Sequence, residues 1–343
     1  MKIIKIGNKK IGEEHPCFII AEAGSNHNND FEKAKSLIDT AVDAKADAVK
    51  FQIFKAEKLY SKNTPKFDYL KGKNTYDLIK EIETPREWIG DLAKYCKKKG
   101  IIFLATPFDY EAVDLLEPYV TAYKIASFEI IDLELIKYTA KKGKPMIIST
   151  GMANLGEIED AVNTVRSVGN KDIILLHCNS VYPTPPNIVN LRLIENIKNT
   201  FDVPVGFSDH TLDIHIPIAA VSLGAKIIEK HITLDRNMKG PDHSFALEPD
   251  DLKKMIKNIR EVEKAFGSGI KEKLEKESEE MYNKARRSIH ALVDIPKGTK
   301  ISKDMLIIKR PGYGIKPKFI DKIIGRKSLK NIKEDDWITW DMI

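Results

Sequence analysis

Eight short apolar runs punctuate the first two-thirds of the chain, at residues 17–21, 46–53, 101–105, 122–126, 145–149, 172–177, 204–207 and 225–229. Each is bounded by turn residues and rich in Ile and Val, which predicts strands. The segments between them carry helical period instead. Ala34, Leu37, Ile38, Ala41 and Val42 form one apolar stripe behind a capping Asp30. Leu252, Met255, Ile256 and Ile259 form another, with Pro249 where helix starts favour proline. Strand–helix alternation repeated eight times predicts an α/β fold, a (β/α)8 TIM barrel over about residues 13–268. A doubly wound sheet shares the local pattern and is the alternative. Residues 2–11, with Gly7-Asn8 at the tip, predict a hairpin ahead of the barrel, giving a first domain of 1–270. After Gly267-Ser268-Gly269 the pattern changes. Residues 271–286 begin Lys271-Glu272-Lys273-Leu274-Glu275-Lys276-Glu277, a charged linker with little to bury. Beyond it Ile289, Ala291 and Val293 alternate, and Pro296-Lys297-Gly298 and Arg310-Pro311-Gly312-Tyr313-Gly314 turn. Residues 287–343 are therefore expected to form a small, mostly β domain with a thin core that leans on the barrel or on another subunit.

Composition narrows the function classes. With 343 residues, 42% hydrophobic and 31% charged, the chain can bury a sizeable core, which excludes wholesale disorder. The net charge of +6 rests on 47 scattered Lys and only nine Arg. That is a solvated surface and not a phosphate-tracking stripe, so no nucleic-acid partner is expected. Three cysteines (Cys17, Cys96, Cys178) without a Cys-x-x-Cys pair exclude a disulfide framework and suggest a reducing compartment. Neither a signal peptide nor an apolar run of the ~20 residues that span a bilayer is found, so a cytoplasmic protein without membrane partners is expected.

In a barrel, chemistry sits where the strands run out. Here those ends are polar: Glu22, Asn26 and His27; Lys50 and Gln52; Thr106 and Asp109; Lys124, Ser127 and Glu129; Ser149 and Thr150; His177, Asn179, Ser180 and Tyr182; Ser208, Asp209 and His210; Glu229, Lys230 and His231. A single inward Lys reads as a structural ion pair. Two, among hydroxyls on adjacent strand ends, read as a convergent site for a small phosphorylated, carboxylated substrate. His210 and His231 end neighbouring strands, each beside a carboxylate (Asp209, Glu229), and suit one divalent metal with open positions for water and substrate. Mn²⁺ is the favoured ion, with Mg²⁺ or Co²⁺ as alternatives.

Ala21-Glu22-Ala23-Gly24-Ser25-Asn26-His27-Asn28, Val49-Lys50-Phe51-Gln52, His177-Cys178 leading to Tyr182-Pro183-Thr184-Pro185, Ser208-Asp209-His210-Thr211, Glu229-Lys230-His231 and Gly240-Pro241-Asp242-His243 resemble the sialic acid synthase family. Arg310-Pro311-Gly312-x-Gly314 resembles that family's C-terminal antifreeze-like (SAF, β-clip) domain. The resemblance implies condensation of phosphoenolpyruvate with an N-acetylated hexosamine to a nine-carbon 2-keto acid and phosphate. It implies phosphoenolpyruvate contacts at Lys50, Thr106, Lys124, Ser127, Ser149 and Ser180, and sugar contacts at Gln52, Tyr182 and Asp242. It places metal ligands at His210 and His231, and a domain-exchanged homodimer in which Arg310 reaches the other subunit's sugar. Asn179 competes with Ser180 for the phosphate role. Where some relatives carry an aromatic, Lys284-Ala285 stand here.

Glu129 is the candidate for proton transfer to the aldehyde oxygen or from water, with Glu22 sharing that work or binding the sugar. N-acetylmannosamine, giving N-acetylneuraminate, is the expected acceptor. Legionaminic or pseudaminic acid synthases, which take a diacetamido-trideoxy hexose, are the enzyme alternative. A carbohydrate-binding protein with an inactive barrel is the alternative from another class.

Overall fold

The computed structural model describes residues 2–65, 74–271 and 278–343. It divides into two compact units, Met1–Gly267 and Ser268–Ile343. In the first, eight parallel strands follow an antiparallel hairpin, β1 (Ile4–Ile6) and β2 (Lys9–Ile11). They are β3 (Phe18–Gly24), β4 (Ala48–Ile53), β5 (Ile102–Pro107), β6 (Tyr123–Ile125), β7 (Met146–Ser149), β8 (Ile173–Cys178), β9 (Val205–Asp209) and β10 (Ile227–His231). The hydrogen-bonded order β5-β4-β3-β10-β9-β8-β7-β6, with β5 beside β6, is that of a nearly closed (β/α)8 barrel. The doubly wound alternative is thereby excluded.

Side chains alternate across a strand, so one parity fills the barrel and the other packs under the helices. The inward set Ile20, Ala48, Leu104, Ala122, Ile147, Leu176 and Ile227 forms one buried cluster with Ile4, Ile6 and Ile11 of the hairpin. The hairpin thus plugs the end of the barrel where the strands begin. Gly206 keeps this layer closed. A Cβ there would lie 2.5 Å from the Ile227 carbonyl and 2.6 Å from Leu176 Cδ2, so only glycine fits. The outward set packs against helices such as Phe31–Asp43, whose first-turn amides donate to Asp30, and Pro249–Ala265, which buries Leu252, Met255, Ile256 and Ile259. Among the described residues no helix is long and apolar enough to cross a membrane.

In the second unit β11 (Ser288–Ala291) pairs antiparallel with β12 (Leu306–Lys309) over a core that includes Ile289, Ile295, Ile315, Ile332 and Ile338. Of the charged run read as a linker, residues 272–277 lie outside the described residues. Residues Glu279–Ala285 form a helix whose Asn283 carbonyl accepts from Gly312 N at 2.8 Å.

Candidate active site

Two residues beyond the apolar layer, the same inward parity becomes polar. Ile20 leads to Glu22, Ala48 to Lys50, Leu104 to Thr106, Ala122 to Lys124, Ile147 to Ser149, Leu176 to Cys178, Gly206 to Ser208 and Ile227 to Glu229. Strand geometry therefore stacks a ring of polar groups on a dry floor. Lys50 sits at its centre: Nζ lies 2.8 Å from Glu22 Oε2 and 3.6 Å from Glu229 Oε2, and donates to Thr106 Oγ1 at 3.1 Å. Lys124 is less committed, with Nζ 3.7 Å from Glu229 Oε1 and donating to the Ile125 carbonyl at 3.1 Å. Gln52 donates to Glu22 Oε1 at 2.9 Å, and Ser208 to Glu229 Oε1 at 3.0 Å. All four charged groups are buried.

Burial works against the Lys50 charge, but Glu22 and Glu229 more than offset it and hold that ammonium above its ordinary range. Lys124 falls below its ordinary value, because burial and the Lys50 charge outweigh Glu229. Burial raises Glu22 although Lys50 opposes it, whereas Lys124 and Lys50 overcome burial at Glu229 and draw it down. Lys50 is thus committed to Glu22, Glu229 and Thr106, whereas Lys124 has only the more distant Glu229, which leaves Lys124 able to meet an anion.

Hydroxyls gather around Gly151, just past β7. Ser127 Oγ accepts from Gly151 N at 3.1 Å. A Cβ on Gly151 would stand 2.6 Å from Ser180 Oγ and 2.9 Å from Ser127 Oγ, so the two hydroxyls flank that glycine. Ser149 Oγ and Ser180 Oγ are buried without a hydrogen-bond partner, as is Ser25 Oγ. Unpartnered buried hydroxyls cost stability, and here they point to a missing acceptor. The Asn179 Nδ2 donates to the Ile188 carbonyl and its backbone carbonyl accepts from His210 Nδ1 at 2.8 Å, while its Oδ1 is buried without a hydrogen-bond partner.

The His210 and His231 rings lie 5.4 Å apart, centroid to centroid. Asn179 fixes the proton of His210 on Nδ1 and leaves Nε2 for a ligand. His231 Nδ1 is buried without a hydrogen-bond partner, 3.7 Å from Asp242 Oδ2. Burial, then His210 and three lysines, hold His231 well below its ordinary pKa, which favours the neutral ring with one nitrogen lone pair free to ligate. Two imidazoles, one with an orphaned nitrogen, fit a divalent ion that also takes water and substrate oxygens. Among the described residues no third His, Cys, Asp or Glu joins them in a metal cage.

One cavity is lined by Glu22, Lys50, Gln52, Thr106, Lys124, Ser127, Ser149, Tyr182, His210, His231 and Asp242, all expected from the sequence. Of the expected residues, Ser180 and Glu129 are not among those that line it; Glu129 ends the turn Ser127–Glu129, next in sequence to the lining residues Ser127 and Phe128. Burial raises its carboxyl to about 7 against the pull of Lys124, and Oε2 has no hydrogen-bond partner. Arg310 belongs to the other unit, where it is exposed and its Nε donates to the Ala285 carbonyl at 2.6 Å.

Two expectations about neighbours change. Asp209 does not orient a histidine: it takes Lys230 Nζ at 2.6 Å and Thr211 N at 2.9 Å on the outward face of the barrel. Glu229 is a counter-ion for both lysines. Adjacent residues point to opposite faces of a strand, which separates Asp209 from His210, whereas Glu229 shares a face with His231 but is taken by the lysines. The sequence reading also missed an apolar wall of the same cavity, Phe54, Leu59, Tyr60, Leu78, Ile79, Ile82 and Phe108. No signal marks these residues, since half-buried apolar positions look like core.

The NeuB family model matches residues 37–271 and the SAF domain model residues 286–343. The chain is 46% identical to an N,N'-diacetyllegionaminic acid synthase of Campylobacter jejuni, over 93% of this chain and 98% of that protein. It is 37% identical to the human N-acetylneuraminate-9-phosphate synthase, over 97% of this chain and 94% of that one. Among solved structures, spore coat polysaccharide biosynthesis protein SpsE of Bacillus subtilis superposes with a TM-score of 0.70 at 40% identity, covering 100% of this chain and 99% of that chain.

Proposed function

This chain belongs to the NeuB family and carries a C-terminal SAF domain, and on that premise we propose that its cavity condenses phosphoenolpyruvate with the open-chain form of an acylamino hexose. The products are a nine-carbon 2-keto sugar acid and phosphate. The observation that carries this reading is that one cavity is lined by the buried Lys50 and Lys124 together with Ser149, whose buried hydroxyl has no partner. Such a cluster is costly unless an anion completes it.

In the reaction, C3 of phosphoenolpyruvate attacks the sugar aldehyde carbon and a C–C bond forms. The positive charge left on C2 is quenched by water, and the tetrahedral centre collapses to the ketone as the C–O bond to phosphate breaks. Lys124, Thr106 and the serines hold phosphate and carboxylate while charge moves across them. Lys50 fixes Glu22 and Glu229, and Glu22 in turn orients Gln52 toward the sugar. Glu129 delivers a proton to the aldehyde oxygen. His210 and His231 would hold a divalent ion, Mn²⁺ by the nitrogen and oxygen donor set, which when bound polarises the aldehyde.

Phosphate release from phosphoenolpyruvate across a panel of acylamino hexoses tests the reading. Release that depends on the sugar supports it, while polysaccharide binding with no release would favour an inactive barrel. Glu129→Gln is expected to lower kcat by about 10²-fold, the usual worth of a general acid. Its carboxyl is the proton donor below a pKa of about 7, so wild-type kcat should fall as pH rises through that value. A wild-type profile flat between pH 5.5 and 8.5 would remove Glu129 from that role.

The expected assembly, a homodimer in which Arg310 serves the partner's barrel, belongs to the same proposal. Arg310→Ala and His231→Ala, each nearly inactive, should recover about a quarter of wild-type activity when unfolded and refolded together, because half the dimers then hold one intact site. Heterodimers without recovery would rule the exchange out.

A further inference from the structure

The outward face of the barrel strands is apolar almost throughout: Val49, Phe103, Ile148, Leu175, Phe207 and Ile228 all lie in the core beneath the helices. Among the described residues of β3–β10, only Asp209 and Lys230 bring charge to that face. Both are buried, and Lys230 Nζ lies 2.6 Å from Asp209 Oδ2. The pair falls on the two strands that lead into the histidines of the cavity, one residue before His210 and one before His231.

Lys230 and Asp209 stand opposite each other on the last rung of the β9–β10 ladder, so strand pairing stops just short of His210. The ion pair closes that rung with side chains and then holds the chain beyond it. Lys230 Nζ donates to the Thr211 carbonyl and, at 3.4 Å, to the Asp213 carbonyl. Asp209 Oδ1 accepts from Thr211 N at 2.9 Å, and its Oδ2 accepts from Thr211 Oγ1 at 3.1 Å. His210 is thus held between two residues that the pair fixes, while His231 keeps its own rung with Glu22 of β3. Neither charged group reaches a ring, because alternation sends the histidines to the inward face. What the pair fixes is the backbone from which both rings project. A buried ion pair is a poor source of stability, since packed apolar residues in its place often do as well or better. Its presence at this one rung is accounted for by geometry at the histidines.

We propose that Asp209 and Lys230 are positioning residues, which from outside the barrel set the spacing at which His210 and His231 converge on one divalent ion. The inference rests on the reading of these two histidines as metal ligands, and concerns what holds them in place. Their rings stand 5.4 Å apart, centroid to centroid. An ion held by two imidazoles depends on that separation, and ligands are held to it by the residues that support them.

Lys230→Met alone strands a buried carboxylate, so the main test is the double variant Asp209→Asn/Lys230→Met, which leaves no unpaired charge. Electron paramagnetic resonance of added Mn²⁺ should show its Kd rise by about 10-fold or more, the scale on which supporting residues affect a metal site. The Kd for phosphoenolpyruvate, read by calorimetric titration, should move by no more than about twofold, because Lys124, Ser127 and Ser149 come from other strands. Asp209→Asn alone keeps an acceptor for Thr211 N and weakens only the pull on Lys230, so it should lose less Mn²⁺ affinity than the double variant. Mn²⁺ affinity unchanged in both variants would overturn the inference. Mn²⁺ and phosphoenolpyruvate affinity falling together with the melting temperature, or failure of both variants to fold, would make the pair merely structural and overturn it too. A wild-type enzyme that binds no Mn²⁺ would instead count against the metal reading. In that event nuclear magnetic resonance of the histidine rings in the metal-free protein decides the role of the pair. Signals of His210 and His231 that shift in the double variant while those of His27 hold still support it; signals that do not move, or that move equally at His27, overturn it.

Discussion

Lys124→Met is expected to lower kcat/KM for phosphoenolpyruvate by about 10²–10³-fold, the worth of one directed charge on a reacting oxyanion, with the melting temperature little changed. Lys50→Met should behave differently, because the two lysines stand in different company. Lys50 is held by Glu22 at 2.8 Å and by Thr106 at 3.1 Å, with Glu229 at 3.6 Å. Removing it strands two buried carboxylates, a loss of about 3–5 kcal/mol. Lys124 has only Glu229 at 3.7 Å and a carbonyl, and burial already presses it toward the neutral form. Its removal leaves Glu229 with Lys50 and Ser208. The checks are steady-state kinetics with each substrate varied and thermal unfolding of both variants. The KM for phosphoenolpyruvate should rise in Lys124→Met well before that for the sugar. Equal effects on both substrates together with a large drop in stability would make Lys124 a structural ion.

Much of this cluster was legible because barrel strands repeat every two residues. Once Ile20, Ile147 and Ile227 are known to point inward, Glu22, Ser149 and Glu229 must follow them. Apolar runs alone ended too early: β3 continues to Gly24, β9 to Asp209 and β10 to His231. Hydrophobic patterning stops at the first polar residue, whereas backbone pairing does not. Partnerships were not legible. That Asn179 orients His210 through its carbonyl is a property of the loop after β8, and no side-chain identity encodes it. The wall of Leu78 and Ile79 was hidden for the opposite reason, since its residue types are those of any core.

Exhaustive chelation is expected to abolish phosphate release, and added Mn²⁺ to restore it. The argument starts from His231, whose Nδ1 is buried with no hydrogen-bond partner and whose nearest carboxylate oxygen is 3.7 Å away on Asp242. A buried imidazole usually satisfies both nitrogens, as His243 does through Thr233 and Asn28. His231 leaves one open toward a cavity it shares with His210, and burial first, then the positive charges around it, press it toward the neutral form. Neutral imidazole surrounded by lysines is disfavoured for protons and well suited to a ligand that brings its own oxygens, such as a hydrated cation meeting a sugar aldehyde. With only two protein ligands the ion is weakly held, so activity should track free metal concentration, and metal removal should leave the fold intact. His231→Ala is expected to cost about 10²–10³-fold in kcat, in the range found for loss of one electrostatic stabiliser. Electron paramagnetic resonance of added Mn²⁺ gives the independent readout: the bound fraction should fall sharply in His231→Ala and in His210→Ala, and should be unchanged in Lys124→Met. Full activity at vanishing metal content, or Mn²⁺ binding indifferent to both histidines, would assign the pair to direct hydrogen bonding with substrate.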